Sequence, residues 1–431
     1  MHALFVASQL DAAPTALAPS TFALYAAALL VLVVAALTSA KPFLRLVRRP
    51  IVSAYVGAGW MWVAFGLLIG PSGLNVLSGG MIDSLRPLIL IALGWVGLTV
   101  GLQLNAPVLR MVPGLVWRWA AMDLVVCSSV ALVAVAALAP HWMATATNEG
   151  VWLLMPIAIV CATLLGWNPE TRSMLPRATR DERTMARLAT GTSGLTGVMA
   201  VLVVGVLSQF VVRNDAGMLM VSLPLGFVAL GAAAGLALCA GIGVLVLLPR
   251  SDWTSSRTLI VLMSIAALAS GISMELAFSP LLSTLFCGVA IANLPGKFRF
   301  SVWQLLSRSE RAVSTTFFIL AGALLAAPAS GAVPVLALVA ACLATRLVLK
   351  PVTMHAVAAS LPADSGPNRV KLRQLPTRQS ALAIVIAVAM VLAEDSMLRR
   401  DLLLVVVTTG AACAAWPLLH RTRAAQREAM P

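Results

Sequence analysis

The sequence predicts an all-α integral membrane protein with about thirteen transmembrane helices. Of the 431 residues, 60% are hydrophobic and only 11% are charged, and the mean hydropathy is +0.95. A soluble domain of this length needs more charge to cover its surface. Apolar runs close to the bilayer-spanning length recur from Thr21 to Leu419. Because no stretch between them is long enough for a soluble regulatory domain, we expect a single transmembrane domain over residues 1–431.

Each predicted span is an apolar run, and we number the spans 1 to 13 in chain order. Span 1 is expected to remain in the protein, because the first forty residues lack the Lys and Arg of a secretory signal. Spans 8, 9 and 12 are the shortest or the most broken by small residues. The spans are Thr21–Ala40, Ile51–Gly70, Leu85–Leu104, Val112–Leu138, Val151–Trp167, Leu188–Val211, Val221–Leu248, Thr258–Ile272, Pro280–Leu294, Ala312–Ala327, Val333–Ala358, Ser380–Leu392 and Leu402–Leu419.

The basic residues test this number of spans. Of the 30 Lys and Arg, 23 fall in the loops on one side and four in the loops on the other. A missed span in mid-chain would exchange the sides of every later loop, and cytoplasmic loops carry the basic excess. We therefore expect a bacterial inner (plasma) membrane protein with its N-terminus outside and its C-terminus in the cytoplasm. The net charge of +14 is scattered over short loops, which predicts anionic lipid as a partner and no nucleic acid.

Motifs for catalysis or for tight cofactor binding are missing from the sequence. The six cysteines lie singly inside apolar runs, with no CxxC and no Cys/His cluster, so neither a disulfide framework nor a metal site is predicted. There is no phosphate loop, zinc motif or nucleophile–base arrangement. We expect a transporter without a cofactor rather than an enzyme.

Two Pro-containing breaks lie at matching places in the two halves of the chain. The first, Gly166–Pro169, follows span 5, and the second, Leu375–Ser380, precedes span 12. Paired interruptions of this kind are typical of inverted-repeat transporters, whose broken helices meet near the bilayer midplane. Each break alone could also be a loop end. Gln379 and Ser380 in the second break are candidate ligands for an ion or solute.

Four sequence blocks resemble those of the monovalent cation:proton antiporter superfamily, particularly its sodium/proton exchanger and potassium-efflux branches. GLLIGPSGL at Gly66–Leu74 and GWVGLTVGLQLN at Gly94–Asn105 resemble the first block of that family. LAFSPLLSTLFCGVAIAN at Leu276–Asn293 is similar to its ninth-helix block, and TFFILAGALL at Thr316–Leu325 to the helix that follows. The four blocks occur in the family's order over most of the chain.

The resemblance implies a fold and a function. It implies two inverted five-helix repeats at 51–211 and 279–419, joined by linking helices at 212–278, and two broken helices that cross. The mobile core would consist of spans 4, 5, 6, 11, 12 and 13. The resemblance also implies a homodimer that exchanges a monovalent cation, Na⁺ or K⁺, for protons.

The family carries its ion-binding Asp on the sixth helix, and this chain has no acid there. The corresponding stretch is TSGLTGVMAV at Thr192–Val201, and the matching position is Gly194, Thr196 or Gly197. The family's Glu near the end of the third helix is Gln103 here. A cation:proton antiporter of this sequence needs a non-standard ion site.

Asp123 is the one acid placed well inside a predicted span, about 17 Å from the inner end of span 4 at 1.5 Å per residue. Arg346 lies about 18 Å from the inner end of span 11 by the same rise, and the resemblance implies a core Lys or Arg there. We expect Asp123 and Arg346 to pair, either as a structural pair that neutralises two buried charges or with Asp123 as the ion carrier. Lys350, one turn below, is expected to extend towards the headgroups.

Thr192, Ser193 and Thr196 on span 6 are further candidates. Their hydroxyl oxygens could bind a cation or a solute, although hydroxyls in membrane helices more often bond back to their own backbone. Three functions therefore stay open at this point. They are a cation:proton antiporter with an altered site, a transporter of an anionic solute on the same fold, and a non-transporting membrane partner or sensor.

Overall fold

The structure is a computed structural model, and it describes residues 59–77, 79–143, 149–169, 180–213, 219–247, 255–276, 278–294, 312–325, 332–359, 377–379, 384–388 and 400–413. Within these ranges the chain is almost entirely helical. Its elements are α1 Trp60–Ile69, α2 Gly79–Ser84, α3 Arg86–Gln103, α4 Ala106–Met111, α5 Gly114–Met143, α6 Glu149–Leu165, β1 Trp167–Pro169, α7 Arg180–Gln209, β2 Val211–Arg213, β3 Leu219–Val221, α8 Leu223–Leu247, α9 Ser255–Glu275, α10 Pro280–Ala292, α11 Ala312–Leu324, α12 Ala332–Ala344, a π-helical turn Thr345–Leu349, α13 Lys350–Ala359, β4 Thr377–Gln379, α14 384–388 and α15 400–413.

Each of the predicted spans 2 to 13 contains helix in its described part, and a few span ends, such as Trp167 in β1, are extended instead. Span 1 and the start of span 2 lie outside the described residues, so the number of spans in the whole chain stays a prediction. In the described part, six helices are long and apolar enough to cross a bilayer, with windows of mean hydropathy between 1.4 and 2.3. Four shorter apolar helices accompany them. The all-α membrane class predicted from the sequence is confirmed.

Two pairs of helices pack with their backbones in close contact, and glycines make this possible. On α3 and α10, a methyl group at Gly101 would lie 2.1 Å from the Leu285 carbonyl oxygen, and one at Gly288 2.4 Å from that of Leu98. Only glycine permits this approach, and small residues play the same role in other membrane helix pairs. The helices run parallel, and the side-chain amide of Asn105 also donates to the Ala292 carbonyl at 2.7 Å.

The second pair consists of α1 and α11. Here a methyl group at Gly66 would lie 2.0 Å from the Ile319 carbonyl oxygen, and one at Gly322 2.0 Å from that of Val63. The helices α1 and α11 belong to spans 2 and 10, whereas α3 and α10 belong to spans 3 and 9. A two-fold operation that exchanges spans 2–6 with spans 9–13 converts one pair into the other. The four sequence blocks that resemble the antiporter superfamily are therefore the segments that make these close contacts.

The two predicted breaks meet each other. After α6 the chain becomes extended as β1, which pairs antiparallel with β4, so that Trp167 faces Gln379 and Pro169 faces Thr377. The helix α14 follows the second extended segment. The break after span 5 and the break before span 12 thus contact each other through these two extended segments.

Candidate functional site

The candidate site lies where α5 and α13 face each other. Asp123 on α5 is 1% exposed, and Lys350 at the start of α13 is 3% exposed. The Lys350 ammonium nitrogen Nζ donates to Asp123 Oδ2 at 3.1 Å. An ion pair removed from water in this way is retained only where both charges are neutralised and hydrogen-bonded.

Thr353 is the third member of the site. Its hydroxyl oxygen lies 3.2 Å from Asp123 Oδ1 and 2.9 Å from the Lys350 carbonyl oxygen, and either oxygen can accept its single proton. The side chain is 3% exposed. The sequence interpretation missed Thr353, although its spacing from Lys350 places both residues on one face of a helix. Each oxygen of the Asp123 carboxylate therefore has a partner on α13.

Arg346 does not pair with Asp123, and this expectation from the sequence was wrong. Its Nη2 group instead donates to two backbone carbonyls at the C-terminal end of α6, that of Thr163 in the last turn and, at 3.0 Å, that of Gly166 just after it. Carbonyls at a helix C-terminus carry partial negative charge without an intrahelical partner, so a buried guanidinium stabilises them. Arg346 is 2% exposed, and its buried Nε and Nη1 groups have no hydrogen-bond partner among the residues that the structure describes.

The π-helical turn explains why the two basic residues diverge. Over Thr345–Leu349 the helix changes to wider turns, in which the Lys350 N–H bonds to the Thr345 carbonyl five residues earlier. Pro351 follows at once and lacks an N–H, which disfavours a regular α-helix at this point. Arg346 consequently faces α6, whereas Lys350 faces α5. The expectation that Lys350 extends towards the headgroups was also wrong, because its side chain is buried.

The three hydroxyls predicted on span 6 are buried in α7 and bond back to their own helix. Thr192 donates to the Leu188 carbonyl at 2.9 Å, Ser193 to that of Thr190 at 2.9 Å, and Thr196 to that of Ser193 at 3.2 Å. Such back-bonding is the common arrangement of hydroxyls in membrane helices. Their oxygens still have lone pairs, so a ligand role for them stays a prediction.

The remaining candidates, Gln379 and Ser380, belong to the second predicted break. The backbone of Gln379 lies in β4 opposite Trp167. Ser380 lies outside the described residues. The sequence interpretation also overlooked a second acid that is buried in the described part of the chain, Asp401, which is 1% exposed on α15.

Chemically, the Asp123 site can exchange one positive partner for another. Its carboxylate can be neutralised by the Lys350 ammonium, by a proton or by a dehydrated cation, and inside a bilayer it requires one of them. Hard cations bind oxygen ligands, and both the carboxylate and the Thr353 hydroxyl supply them. A cation and a proton that reached this site would therefore compete for one group.

Comparisons with known proteins agree with this architecture. The sequence profile described as "Sodium/hydrogen exchanger, transmembrane" matches residues 173–415, which is more than half of the chain. No curated protein matches the chain in sequence. The solved structure of the sodium proton antiporter MjNhaP1 from Methanocaldococcus jannaschii at pH 8 is similar, with a TM-score of 0.54 and 14% sequence identity.

That similarity covers 89% of this chain and 93% of MjNhaP1. At such low identity it concerns the fold alone, and it confirms the predicted antiporter-like architecture. Because the family profile covers most of the second half of the chain and the fold is shared along its length, the protein is a membrane transporter rather than an enzyme. The chain belongs to the family of transmembrane sodium/hydrogen exchangers.

Proposed function

We propose that the protein exchanges a monovalent cation, Na⁺ or K⁺, for protons at a non-standard site formed by Asp123 and Lys350. The observation that carries this proposal is the buried ion pair between them, with Nζ and Oδ2 3.1 Å apart. In this proposal the carboxylate has moved from the sixth span to the fourth. Asp123 takes the role of the acid that α7 lacks between Leu188 and Gln209.

The charge balance of the site supports the proposal. A lone carboxylate in the bilayer interior is costly, so Asp123 must always hold a positive partner. In the described structure that partner is the Lys350 ammonium. A cation that enters the site replaces the ammonium as this partner, and a proton later releases the cation. Coupling follows because cation and proton cannot both neutralise the same carboxylate.

The alternative for the pair is a purely structural role. Two buried opposite charges can persist because removal of either one leaves the other unpaired. The structural role predicts that the pair affects stability alone. The exchange proposal predicts in addition that transport depends on the carboxylate itself, even in a protein that folds normally.

Reconstituted vesicles distinguish these two roles. Purified protein in proteoliposomes with an interior pH dye should show proton movement when Na⁺ or K⁺ is added outside. We expect Asp123→Asn to abolish this movement and Asp401→Asn to retain it. The second variant is a matched control, because Asp401 is also a buried carboxylate but lies on another helix, α15. Full exchange by Asp123→Asn would refute the proposed site.

A second candidate function is transport of an anionic solute. The observation that favours it is Arg346, whose buried Nε and Nη1 donors meet no partner in the described part of the chain. Such donors can bind an anion. The described site also brings two positively charged side chains, Arg346 and Lys350, near one carboxylate, that of Asp123. Electrogenic anion uptake that Arg346→Gln abolishes would support this candidate. Flux that strictly requires a cation would exclude it, and any saturable flux would exclude a non-transporting role.

We further propose that the protein lies in the bacterial inner membrane with the N-terminus outside, the C-terminus in the cytoplasm and anionic lipid around its basic loops. The 23 basic residues assigned to the inner loops support this orientation. Labelling of single cysteines with a membrane-impermeant reagent tests it. A cysteine at the C-terminal tail should react only after the membrane is opened.

The repeats are proposed to extend over 51–211 and 279–419, with 212–278 as linking helices. The exchange of the α1–α11 and α3–α10 contacts under one two-fold operation supports this division. We also propose a homodimer, as the family resemblance implies. Cross-linking in native membranes followed by mass measurement tests the dimer, and a single monomeric band at all cross-linker concentrations would exclude it.

A further inference from the structure

We propose that Thr353 is a direct oxygen ligand of the transported cation and that its hydroxyl determines which monovalent cation the site accepts. This inference rests on the proposed exchange at Asp123. It adds a residue that neither the sequence motifs nor the family resemblance singled out.

The Lys350 ammonium is itself a monovalent cation, and its position indicates where a transported cation would be neutralised in this site. Its nitrogen lies 3.1 Å from Asp123 Oδ2, and the Thr353 hydroxyl oxygen lies 3.2 Å from the other carboxylate oxygen, Oδ1. A cation that takes the place of the ammonium therefore meets a carboxylate with a hydroxyl oxygen already beside it. Hard cations that shed water require several oxygens in return.

The hydroxyl of Thr353 is suited to this role by its hydrogen bonding. Its proton can go to the Lys350 carbonyl at 2.9 Å, within its own helix. The oxygen lone pairs are then free to face a cation. Because Lys350 and Thr353 belong to the same turn of α13, the hydroxyl stays in place while the flexible lysine side chain moves aside.

A neutral ligand can set selectivity where a single carboxylate cannot. The carboxylate supplies attraction to any monovalent cation, whereas the number and spacing of further oxygens distinguish ions of different size. Removal of one oxygen should therefore change the relative affinities for Na⁺ and K⁺, rather than lower transport of all cations equally.

The test compares Thr353→Val, which keeps the shape and removes the oxygen, with Thr353→Ser, which keeps the oxygen. Thr345→Val is the matched control. Thr345 is 2% exposed on the same continuous helix, but its hydroxyl donates to the Ala341 carbonyl at 2.7 Å. Cation affinity of each purified protein is measured from the rise in melting temperature with added Na⁺ or K⁺, using choline to hold ionic strength. KM and the maximal rate are then measured in proteoliposomes.

We expect Thr353→Val to weaken binding of the preferred cation about tenfold and to change the Na⁺/K⁺ ratio, with the maximal rate little changed. Thr353→Ser and Thr345→Val should retain the wild-type ratio. An unchanged ratio in Thr353→Val, with or without loss of stability, overturns the role of Thr353 but leaves the exchange at Asp123 intact. A wild-type protein that binds neither cation overturns both proposals.

Discussion

Lys350 Nζ and Asp123 Oδ2 lie 3.1 Å apart, and neither side chain is more than 3% exposed. The pair joins α13, which belongs to span 11, to α5, which belongs to span 4. In the proposed repeats these spans are related by the two-fold operation, as are the breaks that meet in β1 and β4. The pair would therefore connect the two proposed repeats.

Removal of one partner of this pair should cost more stability than removal of both. Lys350→Met leaves the Asp123 carboxylate buried without the positive charge that neutralises it, with the Thr353 hydroxyl still beside it, so we expect a loss of about 3–5 kcal/mol. The double variant Asp123→Asn with Lys350→Met buries no charge and should recover most of that loss. Thermal unfolding in detergent measures both variants. Equal losses in the single and double variants would show that the pair is not an isolated coupled unit.

Arg346 should stabilise the end of α6, and a neutral amide side chain should not be able to replace it. Arg346→Gln removes the charged donor from the Thr163 and Gly166 carbonyls. Because a hydrogen bond to a charged group contributes about 1.5–3 kcal/mol, we expect a decrease in stability of that order. Arg346→Lys, which keeps the charge, should lose less. An unchanged melting temperature in Arg346→Gln would contradict the role assigned to this contact.

Protons should compete with the transported cation. If both occupy the Asp123 carboxylate, the apparent KM for the cation rises as pH falls, by at most about tenfold per pH unit for one proton. The maximal rate at saturating cation should change far less. Initial rates in proteoliposomes, measured over a range of cation concentrations at several pH values, give both parameters. A KM independent of pH, with only the maximal rate affected, would argue against a shared site.

The close packing of α3 on α10 makes a separate prediction. A methyl group at Gly288 would lie 2.4 Å from the Leu98 carbonyl oxygen, so Gly288→Ala should destabilise the protein by about 1–3 kcal/mol. Gly243→Ala on α8 is the control, because its methyl group meets nothing within 4 Å. It should change stability by no more than about 0.5 kcal/mol. Thermal unfolding of the two variants side by side checks this prediction.

Much of the fold could be predicted from the sequence because membrane helices follow simple rules. Length and hydropathy located the helices, and the Gly- and Pro-containing segments at Gly166–Pro169 and Leu375–Ser380 located the breaks. Helix ends were less accurate. The helix α7 begins at Arg180, eight residues before the predicted Leu188, because a helix can continue into polar surroundings where hydropathy gives no signal.

The site was harder to predict, and the reason lies in helix geometry. Arg346 and Lys350 are four residues apart, so a regular helix gives both the same face and the sequence cannot rank them as partners of Asp123. The π-helical turn separates them, and its main sequence signal is Pro351. Thr353 escaped notice because a neutral hydroxyl in a membrane helix usually bonds to its own backbone.

The central claim is that the Asp123–Lys350 pair replaces the missing acid of the sixth span as the site of exchange. Its most direct test is cation-driven proton movement in proteoliposomes, measured for wild type and for the double variant Asp123→Asn with Lys350→Met at matched protein content. We predict saturable exchange by wild type and none by the double variant, although the variant melts as a folded protein. Undiminished exchange by the folded double variant would contradict the claim.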